Sequence, residues 1–366
     1  MSTSANAKDE PVMDAPALIR HDTSSAVHPT GLLPEQLATR LGMDKTFRGK
    51  QVFRWIVKGA RSFDDMTDLP AAERERLATL TPRLYSSAVV ETLADGDGSS
   101  KLKIRLDDGA AIEAVLLADH EGRLTACLST QVGCPMGCTF CKTGTLGLLR
   151  NLRVDEIVEQ YLHLAALGGK PSNVVFMGMG EPLLNLEALR PAIQILTHVD
   201  GFNLSTRKIT ISTCGLVPGI MSLADEGPHV RLAISLTAAT DELRDSLMPV
   251  NRRWNLEALK KALLYYQEKT GDRISLEAAI MGGVNSGIEG ARSMAAWIQP
   301  LKVQVNVIPW NPVEGLPYRQ PSREEVTSFE TELERLGVNA VRRAKRGRGV
   351  GGACGQLGDT LMDTQH

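Results

Sequence analysis

Between residues 154 and 343 the apolar positions change their rhythm at regular intervals. Helical spacing in VDEIVEQYLHLAAL (154–167) gives way to a short, nearly continuous apolar run, NVVFM (173–177), and the alternation then repeats. It runs through helix NLEALRPAIQIL (185–196), strand KITIS (208–212), helix LVPGIMSLADE (216–226), strand RLAISL (231–236) and helix NLEALKKALLYYQEK (255–269). Strand RISLEAAI (273–280), helix GARSMAAWI (290–298), strand VQVNVI (303–308), helix SREEVTSFETELERLG (322–337) and strand NAVRR (339–343) complete it. Strands that are apolar throughout must be covered on both faces, which predicts an α/β fold with a parallel sheet wrapped by helices. With the segment before residue 131 as first strand, this is a six- or seven-stranded, incomplete α/β barrel, whose function belongs at the carboxyl ends of its strands.

Upstream the rhythm differs. Residues 87–130 read as short strands, SAVVETLA, SSKLKIRL, AAIEAVLL and RLTACLST, with turns at DGDG and DDG. Glu113 lies inside the third, where period-two alternation would point it to solvent. Residues 31–80 read as helices, with Pro34 at a start, Gly42 at a stop, Val52, Phe53, Trp55, Ile56 and Val57 on an apolar face, and Asp68 as a cap for LPAAERERLATL. Arg48, Lys50, Arg54 and Lys58 fit a solvated face better than a phosphate site. Residues 1–30 show no apolar period and read as a disordered leader. The expected organisation is thus a leader (1–30), a helical module (31–85), a β-rich extension (86–119), a barrel ending in a loop (120–357) and a tail (358–366).

Composition narrows the class. The 366 residues are 43% hydrophobic, ample for a core, and the net charge of -2 announces no nucleic acid, so any such contact must come from local patches. No apolar run would span a membrane. Six unevenly spaced cysteines without an apolar signal segment suit a reducing cytoplasm, where clustered thiols bind metal or act in catalysis.

The chemistry concentrates in QVGCPMGCTFCKTGTLG (131–147), where Cys134, Cys138 and Cys141 stand in a C-x3-C-x2-C pattern. Three thiolates, where a closed zinc site needs four, leave a metal position open. GMGEP (178–182) follows a strand at once; Gly178 and Gly180 allow close backbone approach, and Glu181 can accept from an ammonium group. A dinucleotide loop with Asp200 as ribose acid fails on spacing and on Pro182. Ser212, Thr213, Ser235, Thr237 and Asn311 place small polar groups at successive strand ends, as a ligand pocket requires. Arg342, Arg343, Lys345, Arg346 and Arg348 form a basic, glycine-interrupted run suited to phosphate. Cys354, in a polar loop beside it, is a nucleophile candidate, whereas Cys127 and Cys214 read as core.

CPMGCTFC, GMGEPLLN, KITISTCGLVP, AISL, MPVN, IPWNP and ACGQL together resemble the RlmN/Cfr family of radical S-adenosylmethionine RNA methyltransferases, and its RlmN branch most closely, over residues 33–357. The resemblance implies a radical SAM partial (β/α)6-type barrel with a small N-terminal helical RNA-binding domain. It implies a [4Fe-4S] cluster on Cys134, Cys138 and Cys141, and S-adenosylmethionine, two per turnover, contacted by Gly180, Glu181, Ser212, Ser235, Leu236, Thr237 and Asn311. Cys354 would take the methyl group and join the RNA base covalently after radical formation. Cys127 would release product by forming a disulfide with Cys354, and Glu113 would be the proton acceptor. Carbon 2 of an adenosine in 23S rRNA, and of the adenosine after the anticodon in some tRNAs, is the implied target. Relatives in the Cfr branch methylate carbon 8, and a non-catalytic zinc-binding RNA module with Cys127 as fourth ligand is the reading from another class. A monomer served by a flavodoxin or ferredoxin is expected. Thr237 stands where the family generally has His, and GRGVGGACGQL replaces a more acidic loop.

Overall fold

The computed structural model describes residues 27–343 and 346–362. The expected leader lies outside the described residues up to position 26, but its last residues belong to the fold: Thr30 is buried, and its hydroxyl donates to Glu159. Helices α1 (Pro34–Arg40), α2 (Thr46–Val57) and α3 (Ala71–Leu80) follow. α1 and α2 cross at Gly49, where a Cβ would stand 2.1 Å from the Pro34 carbonyl oxygen. Leu37, Leu41, Val52, Phe53 and Ile56 close the core between them. Asp68 does not cap α3. Its carboxylate accepts from Trp55 Nε1 at 2.6 Å instead, and α3 begins after Pro70 without a side-chain cap. Lys50 and Arg54 both pair with Asp200, which ties this module to the barrel.

Strands β1 (Ser87–Ala94), β2 (Ser100–Leu106), β3 (Ala111–Ala118) and β4 (Leu124–Cys127) pair antiparallel in sequence. A hairpin of β5 (Gln131–Cys134) and β6 (Gly147–Asn151), with α4 (Lys142–Thr145) between them, brackets the cysteine-rich stretch. Then come α5 (Val154–Gly168), β7 (Asn173–Phe176), α6 (Leu186–Thr197), β8 (Ile209–Thr213), α7 (Val217–Glu226) and β9 (Arg231–Ser235). They are followed by α8 (Asp241–Leu247), α9 (Leu256–Thr270), β10 (Ile274–Ile280), α10 (Ile288–Trp297), β11 (Val303–Pro309), α11 (Arg323–Arg335) and β12 (Ala340–Arg342). Every element of the expected alternation is present. The hairpin and α8 went unseen because neither is long enough to show a period.

One ten-stranded sheet, in the order β1-β2-β3-β4-β7-β8-β9-β10-β11-β12, carries the molecule. From β4 onward each neighbour is parallel, which gives the partial barrel. The β-rich extension continues this sheet through the β3–β4 pairing. β3 is buried along most of its length: α5 packs against it, the C-terminal segment pairs with its start, where Ala111 donates to the Leu361 carbonyl, and the Gly358 amide reaches the Glu113 side chain. Glu113 is therefore buried, contrary to the solvent-facing position that alternation suggests. No helix of the described residues is long and apolar enough to cross a membrane.

Candidate active site

Cys134 ends β5, and Cys138 and Cys141 lie in the turn that follows, just ahead of α4. Neighbouring elements hold this turn in place. Trp310, at the end of β11, donates its indole N–H to the Phe140 carbonyl at 2.9 Å. The Thr139 amide donates to Leu247 of α8, and the Lys142 amide to the carbonyl of Gly355 at 2.8 Å. Thr143 Oγ1 donates to the Leu357 carbonyl at 2.6 Å. The IPWNP and ACGQL stretches thus meet on the cysteine turn.

All three cysteines line one cavity of about 180 Å³ at the carboxyl ends of the parallel strands. Gly180, Glu181, Ser212, Ser235, Thr237, Asn311 and Cys354 line it too. Leu236 does not: it is buried, with its amide donating to Glu277 and its carbonyl accepting from Arg244. Gly180 has φ +100°, and a Cβ there would stand 2.6 Å from Gln131, so both conformation and space demand glycine. Glu181 accepts from the amides of Leu183 at 3.1 Å and Cys214 at 2.9 Å, and burial raises its pKa. Cys214, read as a core residue, is buried but forms part of this wall. Thr237 adopts φ +56°, a strained conformation for a β-branched residue. Its carbonyl accepts from Asn285 Nδ2 at 2.9 Å, and its amide faces the Glu277 carbonyl at 3.4 Å.

A second cavity of about 190 Å³ adjoins the first and is lined by Cys127, Cys354, Leu117, Arg343 and Arg346. Met177, Asn311, Arg343, Cys354 and Leu357 belong to both walls. Cys127, read alone as core, is buried at the end of β4 but faces this space. Burial pushes its thiol up to about 12, while the Arg343 guanidinium pulls the other way. Arg343 pairs with Glu277 at 3.0 Å, and Glu277 in turn accepts from Asn306 at 2.8 Å. All six cysteines are free thiols, so no disulfide joins Cys127 to Cys354 here.

Glu113 lines neither cavity. Lys101 Nζ lies 2.8 Å from one of its oxygens, and the Gly358 amide donates to the other at 2.6 Å. The basic run is also divided. Arg342 pairs with Glu330 of α11, Arg343 turns inward, and Arg348 donates to Gln320 at 2.9 Å. Lys345 lies outside the described residues. Sequence reasoning missed Glu277, Met177 and Lys101, which carry no motif of their own.

A parallel partial barrel with three cysteines at its strand ends is the architecture of radical S-adenosylmethionine enzymes, and the Radical SAM superfamily model matches residues 128–290. A model described as the ribosomal RNA large subunit methyltransferase N-terminal domain matches residues 35–81. A relative from Treponema pallidum, described as a probable dual-specificity RNA methyltransferase RlmN, is 50% identical over 331 residues, covering 90% of this chain and 97% of its own. The dual-specificity RNA methyltransferase RlmN of Anaeromyxobacter sp. is 44% identical over 334 residues, covering 88% of this chain and 87% of its own. The crystal structure of a radical SAM methyltransferase from Sphaerobacter thermophilus superposes with a TM-score of 0.86 at 40% identity, covering 90% of this chain and 98% of that one. The chain belongs to the RlmN family of radical S-adenosylmethionine RNA methyltransferases.

Membership implies S-adenosylmethionine and a [4Fe-4S] cluster, and the residues present fit both. Half-buried soft thiols such as Cys138, pushed up to about 12 by desolvation, are held as thiolates beside a cation. Among the described residues no three Cys, His, Asp or Glu side chains converge on a single ion. Three thiols on one short turn, with one metal position left open, suit a cluster that takes one thiolate per iron. Asn311 Oδ1 is buried in the first cavity wall without a protein partner, an acceptor waiting for a ligand donor.

Proposed function

We propose that this enzyme methylates carbon 2 of one adenosine in 23S rRNA, and of the adenosine after the anticodon in some tRNAs, through a methyl group carried on Cys354. The observation that carries the reading is the place of Cys354: it lines both the cavity of the three loop cysteines and the cavity of Cys127. When bound, the cluster and S-adenosylmethionine supply the radical chemistry that a non-nucleophilic adenine carbon requires, with electrons from a flavodoxin or ferredoxin. Cys134, Cys138 and Cys141 hold the cluster. Gly180, Glu181, Ser212, Ser235, Thr237 and Asn311 hold S-adenosylmethionine, two of which are used per turnover, while Leu236 supports this wall from behind.

Cys354 first exchanges its proton for a methyl group. After the methylene carbon has bonded to the base, Cys127 attacks the Cys354 sulfur. As its thiolate it forms the S–S bond while the S–C bond breaks; the electron pair stays with the product carbon, which takes up a proton to complete the methyl group. Glu113 accepts the proton displaced from the base, which requires the Gly358 amide to release its carboxylate. The helical module 31–85, with Arg346 and Arg348, contacts RNA whose target base has left its stack.

The test is to incubate reconstituted holoenzyme with 23S rRNA from a strain lacking the activity and to separate the nucleosides by chromatography and mass. 2-Methyladenosine is expected. 8-Methyladenosine would overturn the position assigned, and unmodified adenosine the reading itself.

A further inference from the structure

We propose that Lys101 is a positioning residue: by gripping Glu113 and Asp359 it holds the loop that carries Cys354 over the two cavities. The proposal deepens the reading above and rests on it for the role of that loop.

Lys101 lies on β2, with only 4% of its side chain exposed, and its ammonium has two partners. Nζ is 2.8 Å from Glu113 Oε1 and 3.2 Å from Asp359 Oδ2. The free oxygen of Glu113 takes the Gly358 amide at 2.6 Å, so the carboxylate ties the ammonium to the chain just past Cys354. The chain just ahead of Cys354 passes the same ammonium: a Cβ on Gly351 would stand 3.6 Å from Nζ. Both limbs of the loop are thus gathered on one buried ion pair.

The approach to the loop is held by a separate device. Gly347 and Gly349 donate their amides to Asp97 at 2.8 Å and Asp95 at 2.7 Å, both in the β1–β2 turn. That device controls the run before residue 350, and Lys101 controls the segment that bears the thiol.

A buried carboxylate without its counter-charge is costly and takes up a proton. It then loses the charge-assisted bond to the Gly358 amide, and the loop loses its anchor. The charged groups facing Glu113 are Lys101, Lys103 directly across the β2–β3 register, and Asp359 of the C-terminal segment. Burial raises the Glu113 pKa and Lys101 opposes that rise, so removal of Lys101 moves the protonation of Glu113 to higher pH.

The test uses anaerobically reconstituted holoenzyme carrying Lys101→Met or Lys101→Arg, with two readouts. One is the acid limb of the pH dependence of RNA methylation. The other is the rate of Cys354 alkylation by iodoacetamide, mapped by peptide mass. For Lys101→Met the acid limb should move up by about one pH unit, a factor of ten in proton concentration, and the exposed Cys354 should alkylate faster, by at least about twofold, as its loop loosens. Lys101→Arg should restore both, which a merely structural loss would not. An unchanged limb with unchanged alkylation, or no restoration by Arg, overturns the proposal.

If Lys101→Met does not fold, Asp359→Ala removes the more exposed partner. Cys354 alkylation faster by about two- to threefold is then expected, the scale of an exposed ion pair, and an unchanged rate overturns the proposal. Glu113→Gln separates this idea from the proton-acceptor assignment. An active Glu113→Gln enzyme sinks that assignment, while faster Cys354 alkylation in the same variant still supports the clamp.

Discussion

The two cavities that meet at Cys354 are built on different plans. The first is walled by the carboxyl ends of parallel strands and carries small polar groups, a glycine forced by space at Gly180 and three thiols on a hairpin. The second lies where the antiparallel extension joins the barrel: Leu117 comes from β3, Cys127 from β4, and the C-terminal loop closes it, with Arg343 on its wall paired to Glu277. A parallel barrel of this kind is a platform for many chemistries, because its strand ends accept different side chains without disturbing the core. The second cavity depends on β3, β4 and a C-terminal loop, all outside the residues 128–290 that the Radical SAM superfamily model matches. In the proposed function the first region makes the radical and the second directs it.

Breaking the first region should have the largest effect. Cys138→Ala is expected to remove the iron-sulfur absorption and abolish methylation together; retained cluster with full activity would show that the turn is not the cluster site. Breaking the second should leave the cluster intact. Cys127→Ala is expected to lower turnover by about 10³-fold, as removal of one member of a catalytic unit does, while a covalent RNA adduct through Cys354 accumulates on denaturing gels. Absence of the adduct would refute the resolving role.

Arg343→Met sharpens the contrast. The guanidinium opposes the burial that raises the Cys127 thiol, so its loss should slow product release roughly tenfold at neutral pH. Arg343→Lys keeps a positive charge and should recover most of the rate; no recovery would sink the electrostatic explanation. The smallest effect belongs to the wall of the first cavity. Thr237→Asn replaces a β-branched residue at φ +56° with one that tolerates this conformation. A gain of about 1 kcal/mol is expected, visible as a melting point about 2 °C higher.

Legibility in the sequence followed the range of the interactions. The alternation from α5 to β12 could be read because helix and strand periods are local, and the cysteine spacing because one short turn holds all three ligands. Glu113 shows where local reading fails. Alternation sends it to solvent, but Gly358 and Lys101 meet it from distant parts of the chain. Arg343 looked like one cation in a basic run, yet it turns inward to Glu277 on a neighbouring part of the sheet. Asp68 has the chemistry of a helix cap and serves instead as a partner for Trp55.

The sequence by itself determined the partial barrel, the helical module, the open three-cysteine turn and, through its motifs, the family resemblance, because each is encoded in neighbouring residues. Only the tertiary structure decided that the antiparallel strands continue the barrel sheet. Only it decided that Cys354 lines both cavities while Cys127 faces the second, and that Lys101 gathers the limbs of the C-terminal loop. The physical reason is that burial and charge pairing depend on which distant segments meet, and no local period records that.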